Sequence, residues 1–166
     1  MKLYTDGGCH GNQLKIKDRK MRIVVTDETG VVLLEKFKTG GSSNVAELWA
    51  IAEALVLMQN CNLNEIIEIH TDSKVAIAWS HGRIGTVDDP KSVHNLNVAI
   101  LNVAITNVCE GRRVSIKWIP RAKNLAGIYI ETHRIHYDIK PQFKTYSGKL
   151  RLDSFPSETS QATNAF

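Results

Sequence analysis

Apolar and polar positions alternate with period two over residues 2–5, 21–27 and 31–38, and each run is rich in β-branched or aromatic side chains. Such runs form half-buried strands. Asp27-Glu-Thr-Gly30 separates the second run from the third as a turn signal, so those two read as a hairpin, reached from the first strand by a polar loop. After Gly40-Gly-Ser-Ser-Asn44 the pattern changes: apolar residues fall on nearly all sides from Asn44 to about Gln59, as in a buried helix. Residues 65–71 (EIIEIHT) read as a fourth strand and 72–80 as a short helix, and 82–89 is a loop ending in Pro90. Over residues 91–109 helical spacing returns with Val93, Leu96, Ile100, Val103 and Ala104, and Gly111 stands just past the end. A fifth strand is predicted over 113–119 and a last helix over 125–137. Beyond Asp138 the chain becomes polar and Ser/Thr-rich, so 1–138 is expected to be the domain and 139–166 a partly disordered polar extension.

Three strands in a row, then helix, strand, two helices, strand and helix, predict an α/β protein. The sheet is mixed and five-stranded, its first three strands an antiparallel meander, with helices covering it.

A length of 166 residues suits one such domain and a short extension. No stretch approaches the ~20 apolar residues of a membrane helix, and MKLYTDGG carries no apolar leader region, so neither a membrane segment nor a signal peptide is expected. Cys9, Cys61 and Cys109 are widely spaced and odd in number, which argues against a disulfide framework or a zinc ribbon. A reducing, cytoplasmic setting is the expectation. The net charge of +4 permits a polyanionic partner without requiring one.

Three acids carry the candidate chemistry. Asp6 follows the first strand in YTDGG and Asp72 follows the fourth in IHTDS. If those strands are parallel neighbours, both carboxylates emerge at the carboxyl edge, where α/β sheets hold their ligands. Aspartate is also a common turn former at strand ends. Glu47 lies on a face with Ala50, Ile51 and Ala54, where a charge needs a partner or a metal. A capping box with Asn44 is its other reading. Acids gathered at one sheet edge repel one another, and a divalent cation removes that cost. Hard oxygen donors suit Mg²⁺ or Mn²⁺ rather than zinc.

TDGGCHGN (5–12), SSNVAEL (42–48), IHTDSK (69–74) and IKWIPRAKNLAG (116–127) resemble, in order and spacing, the signatures of type 1 ribonuclease H over roughly residues 1–137. The resemblance implies a ribonuclease H-like fold with helices on both faces of the sheet. It also implies endonucleolytic hydrolysis of the RNA strand of RNA–DNA hybrids with two Mg²⁺ ions, or Mn²⁺ in their place, leaving 5′-phosphate and 3′-hydroxyl ends. A monomer is expected. Asp6, Glu47 and Asp72 correspond to metal-binding carboxylates. Gly8, Cys9, His10, Asn12, Ser43 and Asn44 correspond to the segments that touch the RNA strand, and Ser73 to a polar position at the substrate groove. The 2′-hydroxyl, donor and acceptor at once, is what distinguishes RNA from DNA there.

One position departs from the family: Asn124-Leu-Ala-Gly127 has glycine where a fourth aspartate is usual. Glu131, one helical turn further on the same face, is the expected substitute ligand, and a surface pairing with Lys or Arg is its other reading. Gly127 also leaves open a catalytically weak or inactive hybrid-binding module on the same fold. Another nuclease of similar architecture is a third possibility, against which TDGG and SNVAEL argue. The loop 120–124 has no histidine, and His70, His133 and His136 are given no catalytic role. Arg121 and Lys123 adjoin the site and are candidate phosphate contacts, within a basic group that includes Arg112, Arg113 and Lys117. A second basic group is Lys15, Lys17, Arg19, Lys20 and Arg22. Trp79 and Trp118 are expected in the core.

Overall fold

The computed structural model describes residues 1–11, 13–58, 66–83, 98, 101, 102, 105, 106, 109 and 113–134. All lie within one compact unit, Met1–His136. The extension 139–166, the expected domain boundary at 138 and the apolar positions predicted for residues 91–109 lie outside the described residues. Val98, Leu101 and Ile105 of that stretch are helical and buried, spaced as one helix face.

Five strands form one mixed sheet in the order β3-β2-β1-β4-β5. They are β1 (Lys2–His10), β2 (Lys20–Asp27), β3 (Val32–Thr39), β4 (Ile67–Thr71) and β5 (Val114–Trp118). β1, β2 and β3 form the antiparallel meander, and β4 and β5 add in parallel. In the β2–β3 turn Gly30 adopts φ 85°. There Asp27 Oδ1 accepts from the Thr29 and Val31 amides at 2.8 and 3.0 Å, which closes the hairpin where the sequence places it.

Helix α1 (Ser43–Leu57) packs on one sheet face. Leu3, Met21, Val25, Ile67 and Ile69 point to it and join Val45, Leu48, Ile51 and Leu55 in the core. Helix α2 (Lys74–Ser80) follows β4, and helix α3 (Leu125–Thr132) covers the opposite face of β1 and β2. There Arg22 is buried at 4% exposure. It donates to Glu35 Oε1 at 2.8 Å and to the His133 carbonyl at 2.6 Å, tying β2 and β3 to the end of α3.

Several boundaries differ from the sequence expectation. β1 runs on through Asp6 to His10, because its second half remains paired with β2 after β4 has parted from it at Tyr4. Helix α1 is capped by Ser42, whose Oγ accepts from the Val45 amide, so Asn44 and Glu47 do not form a capping box. Helix α3 ends at Thr132, where the threonine hydroxyl bonds back to the carbonyl of Ile128 at 2.9 Å. Trp118 is 47% exposed rather than core. β5 is an edge strand, and its indole donates to the Asp72 carbonyl at 3.1 Å while Lys74 lies over the ring.

Candidate active site

The three acids arrive from three elements. Asp6 lies in β1 just past the last pairing with β4, Asp72 follows the end of β4, and Glu47 lies on α1. Two parallel strands that part at this point leave a cleft between their carboxyl ends. Asp6, Glu47 and Asp72 each offer one carboxylate oxygen there, all within 4.8 Å of one another.

Gly7 is what lets α1 reach the cleft. A Cβ at this position would stand 2.2 Å from the Ala46 carbonyl carbon and 2.4 Å from the Glu47 nitrogen. With hydrogen there instead, the helix backbone rests directly on the strand, and Glu47 is brought beside Asp6. The third residue of TDGG, Gly7, therefore serves close approach within a strand, rather than a sharp exit from it.

Asp72 is oriented from the other side. Asn124 is fully buried, and its Nδ2 donates to Asp72 Oδ1 at 2.8 Å and to the Thr5 carbonyl at 3.0 Å. Although Asn124 occupies the N-cap position of α3, its side chain does not cap that helix. It ties the helix start to β1 and to the acid instead. In the sequence Asn124 lies inside a motif that by itself gives it no role. Its signal is a polar residue at a cap position that is followed by Leu-Ala-Gly rather than by an acid.

The group is under electrostatic strain. Burial, and next the negative charge of Asp6, push the Glu47 carboxyl up to about 10. Burial also raises Asp6, with Asp72 adding to the effect and Arg121 opposing it. Both carboxyls are thereby biased toward their protonated forms, and Glu47 Oε2 is buried without a hydrogen-bond partner among the described residues. Three carboxylates gathered this closely, one of them with an orphaned buried oxygen, form a donor set suited to a cation. Three hard oxygens fit a divalent ion of the magnesium type.

Other predicted residues are placed as follows. Gly127 abuts Asp6, and a Cβ there would lie 3.2 Å from Asp6 Oδ2, so α3 brings backbone but no carboxylate to the cleft. Glu131 is not brought into the acidic group. Its Oε1 lies 2.8 Å from Arg121 Nε and is 48% exposed at the side chain. Arg121 extends from the 3-10 turn Arg121–Lys123, and its Nη1 stands 3.4 Å from Asp72 Oδ2. Lys123, Ser43 and Asn44 are exposed. Ser73 caps α2, its Oγ accepting from Ala76 at 3.1 Å. Gly8 and His10 continue β1, and Cys9 packs against the core with its thiol 3.6 Å from the Gly41 carbonyl. Asn12 lies outside the described residues. Of the second basic group, Arg22 is consumed by its buried pairing, whereas Lys15, Lys17 and Lys20 are exposed. His70 packs against Tyr4 with the two rings tilted by 57° and lies 3.3 Å from Glu68, on the sheet face beside the cleft.

Comparison with known proteins agrees with this geometry. The family model of RNase H matches residues 1–127. The chain belongs to the RNase H family, a family of nucleases. A segment of 78 residues, 47% of this chain, is 36% identical to the Pol polyprotein of Radiation murine leukemia virus (strain Kaplan), of which the match spans 12%. LC11-RNase H1, isolated from compost by a metagenomic approach, superposes with a TM-score of 0.54 at 26% identity, over 78% of this chain and 90% of that one. The N-terminal RNase H domain of Rv2228c from Mycobacterium tuberculosis has the same fold, with a TM-score of 0.54 at 23% identity over 75% and 90% of the two chains. A further structure of LC11-RNase H1 holds that protein in complex with an RNA/DNA hybrid and shares the fold at a TM-score of 0.51, with 24% identity over 74% and 87% of the chains.

Proposed function

We propose that this chain hydrolyses the RNA strand of RNA–DNA hybrids endonucleolytically, leaving 5′-phosphate and 3′-hydroxyl ends. The observation that carries the reading is the meeting of Asp6, Glu47 and Asp72 within 4.8 Å at the carboxyl edge of the sheet. In this reading those three residues hold Mg²⁺ ions, with Mn²⁺ as a substitute. Bound there, a pair of such ions would supply Lewis-acid activation of water and stabilisation of the leaving oxygen. Asn124 fixes the orientation of Asp72, and the Gly7 contact fixes the approach of Glu47. In this reading Ser43 and Asn44, exposed at the start of α1, and the β1 segment Gly8, Cys9 and His10 meet the 2′-hydroxyls of the RNA strand. Arg121 and Lys123 face its phosphates. The thiols of Cys9 and Cys109 are free, as suits a cytoplasmic protein.

A second reading, a hybrid-binding module of low or no activity, is favoured by one observation: Gly127 brings no fourth carboxylate to Asp6, and Glu131 is engaged elsewhere. One assay decides between them. Labelled hybrid, duplex RNA, duplex DNA and single strands are each offered with Mg²⁺, Mn²⁺ or EDTA to the wild type and to Asp6→Asn. Metal-dependent cutting of the hybrid's RNA strand alone, lost in Asp6→Asn, is expected. Tight hybrid binding with no product under any metal selects the module.

A further inference from the structure

The pairing of Arg121 with Glu131 has no evident part in holding the fold. Both side chains are about half exposed, at 59% and 48%, and exposed ion pairs contribute little to stability. Glu131 stands in the last turn of α3, the end of a helix where the macrodipole disfavours a negative charge. Its effect is on the guanidinium. Arginine carries five N–H donors in a rigid plane. Nε and Nη2 both lie 2.8 Å from Glu131 Oε1, and Nη1 is 3.4 Å from Asp72 Oδ2. A flexible side chain is thereby held in one orientation against the acidic group, with the remainder of its fork turned to solvent.

We propose that Glu131 is a positioning residue: it braces Arg121 at the exposed edge of the carboxylate group so that the outward N–H bonds receive a phosphate oxygen of the strand to be cut. The inference rests on the hybrid-hydrolysis reading. It gives Glu131 a function different from that of a metal ligand. The Arg121–Glu131 pair is neutral as a unit, so the brace supplies geometry rather than long-range attraction. Its loss should appear in turnover and leave ground-state binding nearly unchanged.

The test measures steady-state cleavage of labelled hybrid, hybrid affinity by fluorescence anisotropy in EDTA, and Mn²⁺ affinity by calorimetry. The proteins are the wild type, Glu131→Ala, Glu131→Gln, Arg121→Ala and the double alanine variant. Glu131→Ala is expected to lower kcat by about tenfold, as misplacing a group that contacts substrate does. Its hybrid and Mn²⁺ affinities should stay within about twofold of wild type, because no group touching either is removed. Glu131→Gln keeps an acceptor oxygen in place and should recover most of the loss. In the Arg121→Ala background Glu131→Ala should cost nothing further. An equal loss in both backgrounds overturns the brace, and so does a fall in Mn²⁺ affinity on Glu131→Ala, which would make the residue a ligand. A wild type inert on hybrid removes the nuclease reading and the brace together. A wild type that cuts while Glu131→Ala retains its kcat removes the brace alone.

Discussion

Helix α1 buries two glutamates, and they live in opposite circumstances. Glu47 is 9% exposed and Glu53 fully buried, and each has a carboxylate oxygen without a hydrogen-bond partner among the described residues. Glu53 meets the Lys36 ammonium at 2.6 Å. Lys38, next on the same face of β3, holds its own ammonium 3.8 Å above the Trp49 ring. Burial pushes Lys38 down, and the charge of Glu53 pulls it back up. Glu47 instead faces Asp6 and Asp72. The chain provides a counterion for one glutamate and withholds it from the other. A buried acid whose cation is built in belongs to the frame, whereas one surrounded by acids marks a place for a cation from outside.

The largest effect that would break this contrast belongs to Glu47→Gln. Removing a ligand should abolish cleavage to beyond the ~10–100-fold that outer-shell partners typically cost. The same change should stabilise the metal-free protein, because Gln avoids the cost of protonating the acid on folding, raising the thermal midpoint by roughly 2–4 °C for each kcal/mol of that cost. Loss of both activity and metal-free stability would show Glu47 to be part of the frame after all. Next in size is Lys36→Met, which keeps the apolar stem and strands Glu53 without its cation. Chemical denaturation should show a loss of about 3 kcal/mol, the low end for an uncompensated buried charge because Lys38 remains near. Hybrid cleavage at low temperature should be unaffected.

The smallest effect sharpens the comparison through pH. The Glu47 carboxyl is raised from 4.5 in the free residue to about 10 in the fold. Its contribution to metal-free stability is therefore complete below about pH 4.5 and disappears as the pH climbs toward 10. A divalent cation must displace that proton, so Mn²⁺ affinity measured by calorimetry between pH 6 and 8 should rise by up to about tenfold per unit. The heat should depend on the ionisation enthalpy of the buffer. A pH-independent affinity would mean that Glu47 is already ionised or takes no part.

Much of this was legible in the sequence, for identifiable reasons. Strand alternation, the Asp27–Gly30 turn and the burial of α1 follow from side-chain periodicity, which is local. The acidic residues stood out because Asp6 and Asp72 flank strand ends and Glu47 falls among alanines. What was not legible depends on contacts across the fold. Period-two reading stopped β1 at Thr5 because Asp-Gly-Gly imitates a turn, and only pairing with β2 carries the strand on to His10. Helical spacing put Glu131 on the Gly127 face and favoured a ligand role; its other reading, a surface pairing with Lys or Arg, is the one the structure shows, and only the fold makes Arg121 of the preceding turn the partner. Ser42, Ser43 and Asn44 are all competent caps, and only the docking of α1 selects Ser42. Trp118 looked like core because a tryptophan in a strand usually is, but β5 lies at the margin of the sheet.

The bare α-carbon of Gly7 has a mechanical consequence. Where α1 leans on β1, main chain meets main chain with no side chain between, and a stop made by atomic radii does not soften with salt, acidity or ligand. The gauge between the acid on the strand and the acid on the helix is thus set by hard contact, so the pair can gain or lose charge without drifting apart.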